Sequence, residues 1–273
     1  MRRILATAAA EFRIALRNRW VAISVALMVL FSLVLSAAGS SATGTIGADR
    51  LSVVVASLTS LAVYLVPLVA LLMSFDALAG EVERGTLPLL LTYPVSRTEI
   101  LLGKLFAHLG ILTIAVTAGY GVAALVALAV DREALAGLPS LWRLWWSSVL
   151  LGATFLGVGY AASALAKRPS GAAGLAIGIW LGVIVLYDLG LLAAIVADDG
   201  GVFTTRVFPL ALLANPADAF RLFNLAAAQA TSAAAGVAGA ANTIPLWASL
   251  TSILVWPMVA LALAVAAFRR VIP

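Results

Sequence analysis

The sequence contains no cysteine and few of the other side chains that bind transition metals. Without cysteine, disulfides, thiolate metal sites and thiol catalysis are all excluded. The single histidine is His108, and the methionines are Met1, Met28, Met73 and Met258, each in a separate segment. They form no cluster with the softness and spacing of copper ligands, so we expect no metal site in this chain. The expected role of His108 is that of a packed or snorkelling side chain.

Charged residues are also scarce, at 11% of the chain, whereas hydrophobic residues make up 63%. With a mean hydropathy of +1.11, the polar residues are too few to cover a soluble globular protein. The alternation of polar and apolar residues that is typical of membrane-spanning strands is absent as well, so helices must satisfy the backbone groups in lipid. The composition therefore predicts an all-α integral membrane protein.

Six apolar stretches are long enough to cross a bilayer as helices. A hydrocarbon core about 30 Å thick requires about 20 consecutive apolar residues. The stretches that meet this requirement are residues 20–38, 53–75, 105–130, 144–166, 172–197 and 246–268. Pro67 and Pro257 fall inside two of them, where a proline kinks a helix. We predict six transmembrane helices in a single domain that covers residues 1–273, with no sizeable soluble domain.

The distribution of Lys and Arg predicts the orientation, because positive charge is retained on the cytoplasmic side. With the N-terminus inside, twelve of the 17 basic residues fall in inner segments and five in outer segments. Both termini are therefore predicted to be cytoplasmic. The same bias, with attraction to anionic lipid headgroups, accounts for the net charge of +5, so the charge gives no reason to expect nucleic acid as a partner.

Residues 1–19 are predicted to form an interfacial helix. At about 100° per residue, Leu5, Phe12 and Leu16 share one narrow arc, and four arginines cluster in the neighbouring arc. Such a helix lies on the inner membrane surface. Two alternatives stay open, a solvated basic tail and a cleaved signal peptide that ends near the small residues at 36–39.

Residues 76–104 form a charged stretch for which local signals predict a cytoplasmic elbow. Gly85 is expected to end the preceding helix, and a short apolar helix over residues 86–92 follows. Pro94 breaks that helix, because the residue before a proline is driven out of the α region. Ser96 and Glu99 have the spacing of a capping box, so the next helix is expected to start immediately after Ser96.

The elbow also carries an apolar face, formed by Leu87 and residues 89–91, with a rim of mixed charge. An apolar face of this kind on a cytoplasmic loop is typical of a docking surface. The alternative is an ordinary intracellular loop whose leucines dip into the membrane interface.

Residues 198–245 are predicted to form an extracytoplasmic loop that is too long for a simple turn. Asn215 followed by Pro216, with Asp218 in the first turn, indicates a helix start with an N-cap, a proline at the first position and a carboxylate near the positive end of the dipole. This helix is expected to cover residues 216–228 and to lie at the outer membrane surface. The alternative is a loop that only closes the outer end of a dimer.

Asp188 lies inside the fifth predicted span. A charge at the centre of a bilayer costs about 2.5 to 3.5 kcal/mol on insertion scales, so such an acid usually faces protein or water. Two roles stay open: a contact for cargo or for a conformational change, and a carboxyl bonded to a neighbouring helix.

The stretches GEVERGTL at 80–87, LLLTYPVSR at 89–97 and LGK at 102–104 resemble the loop between the second and third helices of ABC-2 type permeases. The resemblance extends to the basic N-terminus, the six spans and the stretch NPADAFR at 215–221. Within this family it is greatest to membrane subunits of complexes that serve copper-centre assembly in nitrous oxide reductase.

The resemblance implies a type V exporter-like architecture and a homodimer that seats separate ATPase subunits on its cytoplasmic face. The elbow would be the coupling helix, and the second and fifth spans would line the dimer axis. An extracytoplasmic β-helical protein would be a further partner, contacted by Asp218, Phe220 and Arg221. The residues implied in ATPase coupling are Glu81, Glu83, Arg84, Thr86, Leu87, Leu90, Tyr93, Arg97 and Glu99.

The chain itself is expected to be a non-catalytic subunit of the bacterial inner membrane. Its Gly103-Lys104 pair is followed by Leu105 and has Thr98 where a P-loop requires its first glycine. ATP and Mg²⁺ are therefore expected in the partner ATPase, with no cofactor in this chain.

Three other functions are weighed against a role in copper-centre assembly. An ABC-2 exporter of a drug, lipid or peptide shares the elbow motif and differs by cargo and partner. A secondary transporter would need paired broken helices or a repeated half, which the sequence does not show. An intramembrane protease would need a nucleophile and a base, and neither G-x-S-G nor a second histidine is present.

Overall fold

The computed structural model describes residues 2–16, 19–38, 50–166, 168–225 and 244–271, and every regular element in these ranges is helical. The helices are α1 Arg2–Leu16, α2 Arg19–Ala38, α3 Arg50–Ser74, α4 Asp76–Glu83, α5 Thr86–Thr92, α6 Arg97–Val130, α7 Leu138–Leu165, α8 Pro169–Trp180, α9 Tyr187–Asp198, α10 Phe208–Ala214, α11 Pro216–Leu225 and α12 Leu246–Arg269. A 3₁₀ turn, Arg132–Gly137, precedes α7, and wide π-helical turns, Leu181–Leu186 and Phe203–Val207, precede α9 and α10. The all-helical prediction is confirmed for these ranges.

Five helical segments in the described ranges are long and apolar enough to cross a membrane: Leu51–Glu83, Arg97–Val130, Ala134–Leu165, Pro169–Asp198 and Leu246–Arg269. They coincide with the second to sixth predicted spans. The first predicted span corresponds to α2, within which Val25–Leu35 forms a shorter apolar helix. The count of six spans and the orientation of the termini stay predictions.

Helix α7 lies at the centre of the bundle, between α3, α6 and α12. Small residues allow the close packing: a Cβ on Gly157 would lie 2.9 Å from the Cβ of Ala260 in α12. Two large side chains of α7, Phe155 and Tyr160, fill the surrounding core and are fully buried. Because no room is left at this crossing, any side chain at residue 157 would force α7 and α12 apart.

Helix α6 packs against both α1 and α2, and α2 also contacts α3. Gly103 and Gly110 of α6 lie against Thr7 and Phe12 of α1. The opposite side of α1 is exposed and carries Arg2 and Arg13, and Leu5 at the edge of the contact is 65% exposed. The predicted N-terminal helix is therefore present, packed on one side and free to meet lipid with the other.

The segment before α12 contains a helix that is largely buried. Helix α11 starts at Pro216 as predicted, and Asn215 Oδ1 accepts the N–H of Ala217 at 3.0 Å. However, nine of its ten residues are buried against α3, α7 and α12, so α11 is packed into the helix bundle, and its position at the outer membrane surface stays a prediction. Phe220 and Phe223 enter the core, and Asn224 Nδ2 donates to Ser147 Oγ at 3.0 Å, so packing into the bundle buries apolar surface without leaving this amide unpaired. The remainder of the predicted helix, residues 226–228, lies outside the described residues.

Candidate functional site at the elbow

The elbow starts at a break between α3 and α4. The N–H groups of Leu78 and Ala79, in the first turn of α4, donate to Ser163 Oγ of α7 at 3.0 and 2.9 Å. Helix starts leave N–H groups in need of acceptors, and here one buried hydroxyl serves two of them. α7 reaches the break because Gly159 has no side chain; a Cβ there would collide with Ser74. The direction of α4 is therefore fixed by α7.

A left-handed glycine separates α4 from the short helix α5. Gly85 has φ 67° and ψ 16°, a conformation that other residues adopt only with strain. Thr86 Oγ1 then donates to the carbonyl oxygen of Glu81 at 3.3 Å, and the Leu87 side chain is fully buried. The predicted helix over residues 86–92 is confirmed.

The start of α6 carries the predicted capping box. Ser96 Oγ accepts the N–H of Glu99 at 3.2 Å, and Glu99 Oε2 accepts the N–H of Ser96 at 2.8 Å. Glu99 is therefore engaged at its own helix terminus. The reciprocal bonds fix the angle at which the chain leaves the elbow and enters α6.

Arg97 connects the elbow to the end of the last helix. Its Nη1 donates to the carbonyl oxygens of Phe268, Arg269 and Val271 at 2.7, 3.1 and 2.8 Å. The guanidinium also lies 5.6 Å from the centroid of the Phe268 ring. The terminal carbonyls of a helix lack intrahelical donors and carry a partial negative charge, so a cation is favoured at this position. Arg97 thus anchors α12, a role that the sequence did not reveal.

Lys104 lies at the centre of a buried ionic cluster. Its Nζ donates to Glu11 Oε1 of α1 and to Glu81 Oε1 of α4, both at 2.6 Å. The side chains of Lys104, Glu11 and Glu81 are only 3%, 17% and 10% exposed. One ammonium therefore holds α1, α4 and α6 together. The acids lie 93 and 23 positions from the lysine in the chain, so no local pattern could have linked them.

The surface that the elbow offers to a partner differs from the predicted apolar face. Leu87 is fully buried and Leu90 is half-buried, so Leu87 is wrong as a surface contact. Glu81 is buried as well, because it belongs to the Lys104 cluster. The predicted coupling residues that remain exposed are Glu83, Arg84, Thr86 and Tyr93, and Leu89 lies beside them at 64% exposure.

The family model described as "ABC-2 family transporter protein" matches residues 5–271. The chain belongs to the ABC-2 transporter family. It is also similar to two proteins named "Probable ABC transporter permease protein NosY". The protein from Pseudomonas aeruginosa strain PAO1 is 44% identical over 259 residues, and that from Stutzerimonas stutzeri is 42% identical over 261 residues. Each alignment covers 93% of this chain and 94% of the relative.

The resemblance predicted from the elbow motif is therefore confirmed, and this ABC-2 permease is a multi-pass membrane protein. Membership of the family implies an ATPase partner. The exposed residues of α4 and α5 form the part of the elbow that such a partner could reach.

A second polar cluster of the permease lies between α9 and α11. Arg221 Nη2 lies 3.1 Å from Asp188 Oδ2, and Arg221 Nη1 lies 3.2 Å from Asp218 Oδ1. The structure thus shows Asp188 bonded to a neighbouring helix, the second of the two roles left open above. The sequence signal that was missed is the spacing of three between Asp218 and Arg221, which places both side chains on one face of α11.

This packing changes the role of the residues predicted to contact an extracytoplasmic partner. Asp218 and Phe220 are 1% and 0% exposed, so they are wrong as surface contacts, and Arg221 points at Asp188. Burial, with Asp188 close by, raises the pKa of the Asp218 carboxyl to about 7, against the opposing effect of Arg221. Asp218 is therefore part of the interior of the permease.

His108 is the remaining predicted site of interest. Its Nδ1 lies 2.8 Å from the hydroxyl oxygen of Tyr160 in the core, in keeping with a packed role. Among the described residues, no group of three or more His, Cys, Asp or Glu side chains is placed to hold a metal ion.

Proposed function

We propose that this permease transmits the work of a cytoplasmic ATPase to a partner on the other side of the membrane. The observation that carries the proposal is the three-point attachment of the elbow. Ser163 binds it to α7, Lys104 to α1, and Arg97 to the end of α12. A displacement of the exposed surface of α4 and α5 would therefore move these helices together.

The relatives' name supports a specific biological setting. By the resemblance, the ATPase is NosF-like and binds ATP with Mg²⁺, and the outer partner is a NosD-like β-helical protein. The permease itself holds no cofactor and works in the bacterial inner membrane with both termini in the cytoplasm. In this setting it serves copper-centre assembly of nitrous oxide reductase as part of an ABC complex.

A homodimer is part of the proposal, and the fifth span supplies the supporting observation. Of the 18-residue apolar stretch that identifies Pro169–Asp198 as a candidate span, only 6% is buried within the described part of the chain. Gly174, Gly178 and Gly182 recur at intervals of four, and a Cβ at any of them would meet no atom of the described residues within 4 Å. Small residues at this spacing allow two transmembrane helices to approach closely. We propose that α8 and the π-helical turn after it meet the same segment of a second copy at this stripe.

The test is isolation of the tagged permease from its native membranes in mild detergent, followed by identification of the bound proteins. An ATPase with an extracytoplasmic β-helical protein supports the proposal. An ATPase alone supports the alternative, an exporter of a drug, lipid or peptide. Absence of any ATPase from an intact preparation would overturn the coupling role.

A charge reversal tests the elbow directly. Glu83→Lys changes an exposed residue of the elbow, and we expect it to reduce ATPase recovery severalfold while membrane insertion stays normal. The matched control is Arg206→Glu, a charge reversal on an exposed residue of the segment before α10. Equal ATPase recovery with both variants would contradict a docking surface at α4 and α5.

A further inference from the structure

A cavity of about 970 Å³ lies between α1, α4, α5 and the start of α6. Its wall is mainly apolar and includes Ile14, Leu72, Met73 and Leu90. This volume is in the range of small-molecule sites, which are apolar clefts with a few well-placed polar groups. The cavity borders the exposed apolar side of α1, where Ile14 is 66% exposed. An occupant could therefore enter from the membrane.

The inner end of the cavity requires a hydrogen-bond donor. It is lined by the Lys104 cluster, in which one ammonium faces the carboxylates of Glu11 and Glu81. Glu81 Oε2 is buried and has no hydrogen-bond partner among the described residues, and the Glu81 side chain is only 10% exposed. A buried carboxylate oxygen without a donor is costly, so a cationic donor at this position would be favoured.

Two arginines of the cavity wall, Arg84 and Arg3, favour an anion about one helical turn from Glu81, although Asp76 lines the same wall. Arg84, the C-cap of α4, follows Glu81 by three positions and keeps a helical backbone conformation, so the two side chains lie on the same face, with Cβ atoms about 5–6 Å apart. Its guanidinium is 3.4 Å from Asp76 and is largely exposed. Arg3 of α1 lines the cavity as well. The site thus offers an acceptor for a cation beside donors for an anion.

We propose that this cavity binds one membrane phospholipid with a primary-amine headgroup, of the phosphatidylethanolamine type. The ammonium donates to Glu81 Oε2, the phosphate lies by Arg84 and Arg3, and an acyl chain covers the apolar wall. A choline headgroup has no N–H to donate, so the site discriminates between the two headgroups. The lipid would fill the space between α1 and the elbow and contact both. This inference does not depend on the identity of the ATPase or of the outer partner.

Native mass spectrometry of the purified full-length permease tests the proposal, with phosphatidylethanolamine and phosphatidylcholine of identical acyl chains as probes. We expect the wild type to bind the ethanolamine lipid about tenfold more tightly, as the loss of one charge-assisted hydrogen bond implies. Glu81→Gln should remove most of this preference. Glu83→Gln, an exposed acid on the same helix, is the control and should retain it.

A second variant keeps the test decisive if Glu81→Gln fails to fold. Ala10→Phe fills the cavity from α1 without altering any charge, and it should reduce binding of the ethanolamine lipid severalfold. Equal binding of both lipids by the wild type would overturn the proposal, as would ethanolamine binding that survives Ala10→Phe. If the wild type binds neither lipid and the Ala10→Phe variant loses the ATPase, the lipid proposal is overturned and the cavity belongs to the ATPase-binding site.

Discussion

Lys104 neutralises two carboxylates that approach it from different helices. Because all three side chains are largely buried, loss of the cation would leave charges that water cannot solvate. Removal of one partner from a buried ion pair typically costs about 3–5 kcal/mol. The cluster therefore decides whether α1 and α4 stay attached to α6.

We predict that Lys104→Met lowers the midpoint of thermal unfolding in detergent, measured by size-exclusion chromatography after heating. The double variant Lys104→Met/Glu81→Gln should recover part of the loss, because it removes one of the two uncompensated charges. Arg269→Met, at an exposed position, is the control. A single variant as stable as the wild type would show that the cluster does not stabilise the elbow.

Asp218 makes the stability of the permease depend on pH. Its pKa is raised to about 7 in the folded protein, whereas an unfolded aspartate has a pKa of about 3.9. Between these values the folded state keeps a proton that the unfolded state has lost, so stability falls as the pH rises through this window. The contribution is fully present below about pH 4 and is lost above about pH 7.

We predict that Asp218→Asn flattens this dependence, because the asparagine does not titrate. The measurement is the thermal midpoint between pH 5 and pH 8 for both proteins. Asp199→Asn serves as the control at an exposed aspartate in the left-handed region, where asparagine is also tolerated. A wild type and an Asp218→Asn variant with the same pH profile would rule out Asp218 as the titrating group.

At the scale of elements, the break between α3 and α4 is the joint that sets the direction of the elbow. Gly85, Pro94 and the Ser96–Glu99 box are local signals, and each placed its boundary correctly from the sequence. The break itself was predicted only as a continuation of the second span. Its donors are satisfied by Ser163, which lies 85 positions from Leu78, so no local signal could have indicated it.

We predict that Ser163→Ala loosens this joint, because two buried N–H groups lose their acceptor. An unsatisfied buried donor costs about 1–3 kcal/mol. Hydrogen exchange at Leu78 and Ala79 should become faster, with little change in α12. Ser170→Ala, on an exposed site of α8, should leave the exchange unchanged; protection of Leu78 and Ala79 that survives in Ser163→Ala would contradict the role of the hydroxyl.

At the scale of the whole molecule, the fifth span packs on α3, α4 and α7 through one side of α8, yet it is the least buried of the five apolar segments. Asp188 of this span pairs with Arg221 of α11. Asn215, the residue before α11, donates from its Nδ2 to the carbonyl oxygen of Val183 in the span at 2.8 Å. Most of its apolar surface has no partner within the described part of the chain. The glycine stripe is therefore available to a second copy.

We predict that Gly178→Ile reduces dimer formation, because the branched side chain would hold two helices apart at the stripe. The matched control is Gly121→Ile on α6, where a Cβ also meets no atom of the described part of the chain within 4 Å. Light scattering of the detergent-purified proteins gives the oligomeric state. A Gly178→Ile variant as dimeric as the control would exclude this face from the interface.

The sequence by itself determined the helical class, five of the membrane segments, the boundaries of the elbow and its family resemblance. These features follow from hydropathy, capping and proline or glycine positions, each of which acts within a few residues. Tertiary structure alone decided the roles of Arg97, Lys104 and Ser163, the pairing of Asp188 with Arg221 and the burial of α11. Those outcomes depend on which side chains, distant in the sequence, come into contact when the apolar helices pack. Because the chain has so few charged residues, the packing of the helices decides which polar groups pair.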